Sequence, residues 1–239
     1  MTVAPPMGSI QARRIPFYGD LIHANVAPQW TVATGVSSYP DQIVSGAPCD
    51  WAQATGANQP SVSTFTTQPA LSFDSTDYLQ TTGALAAQNV ITLSFPALLV
   101  GGNRVVFESS AAAGIANPGS FLIYENGGNL NLEYYRGGTT RKFVAITPGL
   151  KRIVVVLNPA ASGADAWPAL YINGASAGAY GVIGATTGQI ASYVWTLGRF
   201  AAGGFPWTGG KTSTILQHGR ALTAGEIALV DAYLATVSA

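Results

Sequence analysis

The chain has 239 residues, with 11 Lys and Arg against 11 Asp and Glu, and only 9% of it is charged, far below the ~25% usual in globular proteins. That balance excludes the basic stripe on which nucleic-acid binding rests, and no run approaches the ~18 apolar residues of a membrane-spanning helix. With 48% hydrophobic residues, 28 Gly and 14 Pro, the chain can bury a sizeable core under a surface of small neutral side chains, suited to packing against neighbours.

Residues 1–22 predict an extended N-terminal arm. Pro5, Pro6, Gly8 and Pro16 deny it regular structure, while Ile15, Phe17 and Tyr18 supply apolar anchors beside Arg13 and Arg14. Such an arm wraps its own domain or docks on another subunit. The opening text has no apolar segment of the signal-peptide kind, which predicts a protein outside the general secretory route. From Trp30 to Asn58 the text is irregular. Strand text then runs from about residue 70 to 217, in short alternating segments bounded by Gly, Pro and Asn.

Asn126-Gly127-Gly128-Asn129, between two alternating runs, predicts a tight hairpin, and Asn173-Gly174 predicts another turn. Many short strands without intervening helices indicate one antiparallel sandwich or barrel over residues 23–239. A helix closes the chain at Leu222 to Ala235. Thr223 and Glu226 have capping-box spacing, and Ile227, Val230 and Leu234 form one apolar stripe, with Leu229 and Tyr233 adjoining. So short a helix needs the sandwich to lie on.

Four stretches, in order, resemble the concanavalin A-like, laminin-G-like jelly-roll family. They are "WAQATGANQPSV" (51–62), "PALSFDSTDYLQ" (69–80), "ALYINGASAG" (169–178) and the segment from Tyr193 through the helix. The resemblance covers about residues 28–236 and implies an all-β antiparallel jelly-roll sandwich, with the helix as a structural closing device. The chain departs from the family pattern at Gly210 to Ile215, where an acidic residue is common. The family occurs in phage virion proteins and bacterial surface proteins, and its fold hosts several functions.

Candidate chemistry is sparse. No strand of the E-x-D-x-E form used by retaining glycosidases is present. Glu125 and Glu133 flank the Asn-Gly turn, where odd register or solvent exposure accounts for them better than catalysis does. Asp74 and Asp77 sit in a "DSTD" turn, where Asp bonds its own backbone; calcium is the lesser reading. Gly174 to Gly178 matches G-x-S-x-G but lacks the following helix that a nucleophile elbow needs. His23 and His218 are the two histidines, and Cys49 is the lone cysteine, each expected to be structural. Neither a cofactor nor a metal site is expected.

Aromatic residues in loop text remain. Trp195 belongs to a strand and the core. Trp167, Trp207 and the Tyr134-Tyr135-Arg136 run either plug the ends of the sandwich, the preferred reading, or stack on sugar rings. The expected function is that of a non-enzymatic structural protein of a phage particle, a head decoration or tail-associated subunit. It would assemble as a homo-oligomer in the virion, dock on a capsid or tail surface, and bind no nucleic acid. A carbohydrate-binding adhesion module recognising a cell-surface glycan is the alternative, and a glycoside hydrolase the least favoured.

Overall fold

The alternating runs fold as antiparallel strands. The structure, a computed structural model, describes residues 21–25, 31–32, 35–40, 50–111, 117–135, 139–160, 168–177 and 188–239. The arm residues Arg13, Arg14, Ile15, Phe17 and Tyr18 lie outside them, as do Trp30 and Cys49. In chain order the strands begin with β1 (Leu21–Asn25), β2 (Thr31–Val32), β3 (Val36–Tyr39), β4 (Trp51–Ala52), β5 (Ser61–Thr64) and β6 (Pro69–Ser72). Next come β7 (Leu79–Thr81), β8 (Ile91–Leu99), β9 (Arg104–Ser109), β10 (Phe121–Asn126), β11 (Asn129–Tyr135) and β12 (Thr139–Ala145). The rest are β13 (Gly149–Leu157), β14 (Ala169–Ile172), β15 (Ala175–Ser176), β16 (Trp195–Leu197), β17 (Lys211–Thr212) and β18 (Ile215–His218), before helix α1 (Ala224–Thr236).

Among the described residues these strands make two sheets of nine. The first runs β15-β14-β13-β8-β17-β6-β5, with β18 also beside β8 and β1 beyond β18. The second runs β12-β11-β10-β9-β16-β7-β4-β3-β2. This is the all-β antiparallel sandwich that the sequence predicts, with its closing helix. Both predicted hairpins form. Asn126 pairs with Asn129 across Gly127 (φ 57°) and Gly128 (φ 80°), a two-residue turn with both central residues left-handed. Asn173 (φ 52°) and Gly174 (φ 78°) do the same between β14 and β15.

Strand parity fills the core. Along β8, Ile91, Leu93, Phe95, Ala97 and Leu99 enter the sandwich, and β13 adds Ile153, Val155 and Leu157. The second sheet answers with Phe107, Phe121, Ile123, Leu132, Trp195 and Leu197. Phe107 bridges the layers: its ring lies 5.1 Å from Phe95 and 5.4 Å, edge-on, from Trp51.

The alternate residues of β13, Val154 and Val156, face outward, and α1 covers them. Ile227, Val230 and Leu234 pack with Leu222 on these two valines, which places the predicted stripe on the first sheet. Leu229 is 58% exposed and takes no part. Thr92, opposite Val156, fixes the approach: its hydroxyl donates to the Arg220 carbonyl (2.7 Å) and accepts from the Leu222 amide (3.1 Å). The capping box of Thr223 and Glu226 is present, and Arg220 meets the Glu226 carboxylate at 2.7 Å. Hydrogen bonds from Arg220 and Thr223 hold the Glu226 carboxyl down to about 2.

Candidate functional site

Parity also decides which side chains β10 and β11 present outward. The hairpin register pairs Leu122 with Glu133, Tyr124 with Asn131 and Glu125 with Leu130. Phe121, Ile123, Leu130 and Leu132 therefore point inward, and Leu122, Tyr124 and Glu133 occupy the outer face. A bulge in β9 brings Val105 opposite Tyr124 on that same face. The loop from Arg199 to Pro206 folds over these residues. Its Ala201 amide donates to the Glu108 carboxylate, and its Phe205 carbonyl accepts from the Val105 amide at 2.9 Å.

Loop and sheet line an open cavity of about 370 Å³. Val105, Leu122, Phe200 and Phe205 give it apolar and aromatic lining, and Asn103, Arg104, Tyr124, Glu125, Asn126 and Glu133 give it polar groups. The two phenylalanines meet edge to face, 5.4 Å between ring centres. Tyr124 donates its hydroxyl to Glu133 across the diagonal of the hairpin. Arg104 is positioned by two carbonyls, Gly101 (2.7 Å) and Thr208 (2.6 Å). The lining thus offers aromatic and aliphatic surface together with hydrogen-bonding groups.

Most of the sequence candidates lie elsewhere. Trp207 is fully buried, so its ring cannot stack on a sugar; it plugs the sandwich, with its Nε1 donating to Glu125 at 2.9 Å. Tyr134 is also buried, an inward residue of β11 whose hydroxyl donates to the Gln189 carbonyl at 3.0 Å. Tyr135 is half-buried at the end of β11, and Arg136 and Trp167 lie outside the described residues. Glu125 and Glu133 are in odd register as expected, but burial replaces the expected exposure. Glu125 points inward, where the Val100 and Gly101 amides join Trp207 in donating to it.

The cavity's own Tyr124, Phe200 and Phe205 were not candidates from the sequence. Two signals mark them in retrospect. The Asn-Gly-Gly-Asn turn fixes the outward parity of Tyr124 and Glu133. The text "FAAGGF" (200–205) sets two aromatics about a Gly-Gly tip.

Trp51 and Trp195 are core residues, and His218 is buried in β18. Ser176 sits in the short strand β15 after a hairpin turn and is exposed, which is not the geometry of a nucleophile elbow. Among the described residues no group of three or more His, Cys, Asp or Glu could hold a metal ion.

The "DSTD" turn behaves as Asp turns do. Asp74 Oδ1 accepts from the Thr76 amide (2.7 Å) and the Asp77 amide (3.2 Å), while Asp77 Oδ2 accepts from the Asp74 amide (2.8 Å). The Thr76 backbone bond leads in lowering the Asp74 carboxyl; burial leads in raising that of Asp77, to about 6. In the unfolded chain Asp77 returns to about 3.9, so between these values the folded protein holds a proton that the unfolded chain releases. The Asp77 contribution to stability is therefore full below about pH 4 and lost as pH rises through about 6. Asp74 acts oppositely, and only as pH falls below about 4. We expect Asp77→Asn to melt higher than the parent protein at pH 8, with the gap closing towards pH 4. Parallel melting curves across that range would refute the assignment.

Fold and cavity define an all-β sandwich domain with a ligand-sized recess on one outer sheet face. No family model and no curated protein matches the chain. Solved structures do resemble it. A Trypanosoma rangeli sialidase in complex with the inhibitor DANA matches at 14% identity and TM-score 0.58, over 96% of this chain and 34% of that one. The botulinum neurotoxin serotype D binding domain matches at 11% identity and TM-score 0.57, over 90% of this chain and 51% of that one. A further structure of the serotype D ligand-binding domain, in complex with N-acetylneuraminic acid, matches at 10% identity and TM-score 0.52. At such identities the likeness is one of fold, and the chain spans about a third of the sialidase and half of the toxin domains.

Proposed function

We propose that this protein is a non-enzymatic carbohydrate-binding module that takes a sugar into the outer-face cavity of its second sheet. The observation that carries the reading is a cavity lining that combines two phenylalanines with several hydrogen-bonding side chains. A pyranose has matching chemistry, with C–H bonds on its ring faces and hydroxyls around its edge. The volume of about 370 Å³ falls in the range of small-molecule sites. Phe200 and Phe205 supply the surface for a ring face, and Tyr124, Glu133 and the two asparagines supply partners for hydroxyls. Glu125, which three donors engage, serves to anchor Trp207 rather than to attack a glycosidic bond.

The concanavalin A-like resemblance of the sequence agrees with this reading, as does a similar toxin domain solved with N-acetylneuraminic acid. The placement on a phage particle draws its support from the sequence alone: the 9% charge content and the proline-rich opening segment. An adhesion module carried on such a particle satisfies both.

The test is retention of the intact protein on a glycan array, followed by calorimetry on the sugar retained. Tyr124→Phe removes one hydroxyl and should weaken binding about tenfold, the equivalent of one hydrogen bond. Release of reducing ends from the retained glycan should stay at background. If no sugar holds the intact protein, the proposal fails.

A further inference from the structure

We propose that Phe205 is the gripping residue of this cavity, laying its ring on the C–H face of a bound pyranose; the inference rests on the carbohydrate reading above. Its backbone is the starting point. Phe205 has φ 48°, in the left-handed region that bulky side chains avoid. It follows Gly203 (φ 87°) and Gly204 (φ 92°), so three consecutive residues take positive φ, and the third carries a benzyl group. A glycine there would meet the same backbone path without strain.

The conformation is imposed by the surroundings. The Phe205 carbonyl accepts from the Val105 amide at 2.9 Å, Phe200 and Gly203 bond across the loop, and the Trp207 amide donates to Gly198 at 2.7 Å just beyond it. Ala201 is tied to the buried Glu108. These bonds hold position 205 from both sides.

The ring gives the fold little in return. It is 52% exposed, and among the described residues it is the aromatic one of the exposed large apolar side chains. Its ring partner is Phe200, itself part of the cavity wall. The left-handed backbone costs stability, and a half-exposed ring returns less than a buried one would. Strain of this kind persists at ligand sites, where the side chain it aims does its work on the ligand. The flat apolar surface it presents fits a pyranose face, with the ring hydroxyls directed to Tyr124 and Glu133 below.

The experiment takes the intact protein, Phe205→Gly and Phe205→Tyr. It measures binding to N-acetylneuraminic acid and to the methyl pyranosides of glucose, galactose, mannose and N-acetylglucosamine, and records each protein's Tm. Phe205→Gly should melt at or above the parent temperature and bind about tenfold or more weakly, the loss expected for one stacked ring. Phe205→Tyr, which keeps the ring, should bind within about threefold of the parent. Undiminished binding by Phe205→Gly would overturn the inference, and so would a melting point several degrees below the parent, because the ring would then serve the fold. If Tyr124→Phe loses binding and Phe205→Gly keeps it, the carbohydrate reading stands without this grip. If the intact protein binds none of these sugars, the grip on a single pyranose is overturned, while the carbohydrate reading stands or falls on the glycan array.

Discussion

Replacing Trp207 with alanine should lower the unfolding free energy by about 3–5 kcal/mol, the range for deleting a large buried aromatic. The indole is fully buried and lies 5.5 Å from Phe73, ring centre to ring centre. A Cβ on Gly210 would come within 2.2 Å of the indole, so the chain keeps a glycine where the ring passes. Its Nε1 donates to Glu125, whose carboxylate also gathers the Val100 and Gly101 amides. Deleting the indole thus opens a void and removes one of three donors from a buried carboxylate, and both effects destabilise. Trp207→Phe keeps most of the volume and should cost less. Urea unfolding with an unchanged slope would measure both variants. A loss under about 1 kcal/mol for the alanine variant would mean that the ring is not the plug described here.

The contrast between Trp207 and Phe205 shows where the sequence was legible. Strand parity, turn residues and the capping box are local, and they placed the hairpins at Asn126 and Asn173 and the stripe on α1. Trp207 and Phe205 stand two residues apart in one glycine-rich loop, "GGFPWTGG", and nothing local separates a buried ring from an exposed one. What separates them is partners distant in sequence. Phe73 packs on the indole and Glu125 accepts the hydrogen bond of its N–H, while Val105 holds the backbone of Phe205. The same holds for Glu125 and Glu133. Hydropathy reads both as surface residues, yet both are buried, because each found donors that the sequence could not assign to it.

The largest effect on the closing helix should come from Val230→Asp, with a loss of about 4 kcal/mol or more, typical of a charge forced into a site without a partner. Val230 is fully buried between Ile227, Leu234 and the outward valines of β13. The β13 text "IVVVL" (153–157) is apolar without alternation, the mark of a strand covered on both faces. One face meets the second sheet; the other has α1. Thirteen residues of helix do not persist alone in water. The capping box and the 2.9 Å Arg152–Asp231 pair each contribute only about 1 kcal/mol or less. Docking therefore depends on three side chains, Ile227, Val230 and Leu234, and an aspartate among them should free the helix and bare Val154 and Val156. Leu229→Asp is the control: one position away but 58% exposed, it should change stability by no more than about 0.5 kcal/mol. Amide exchange over residues 224–236 should accelerate in the first variant and stay slow in the second. Equal exchange in both would mean that the helix is held by something other than this stripe, and that the sandwich does not need it as a lid over β13.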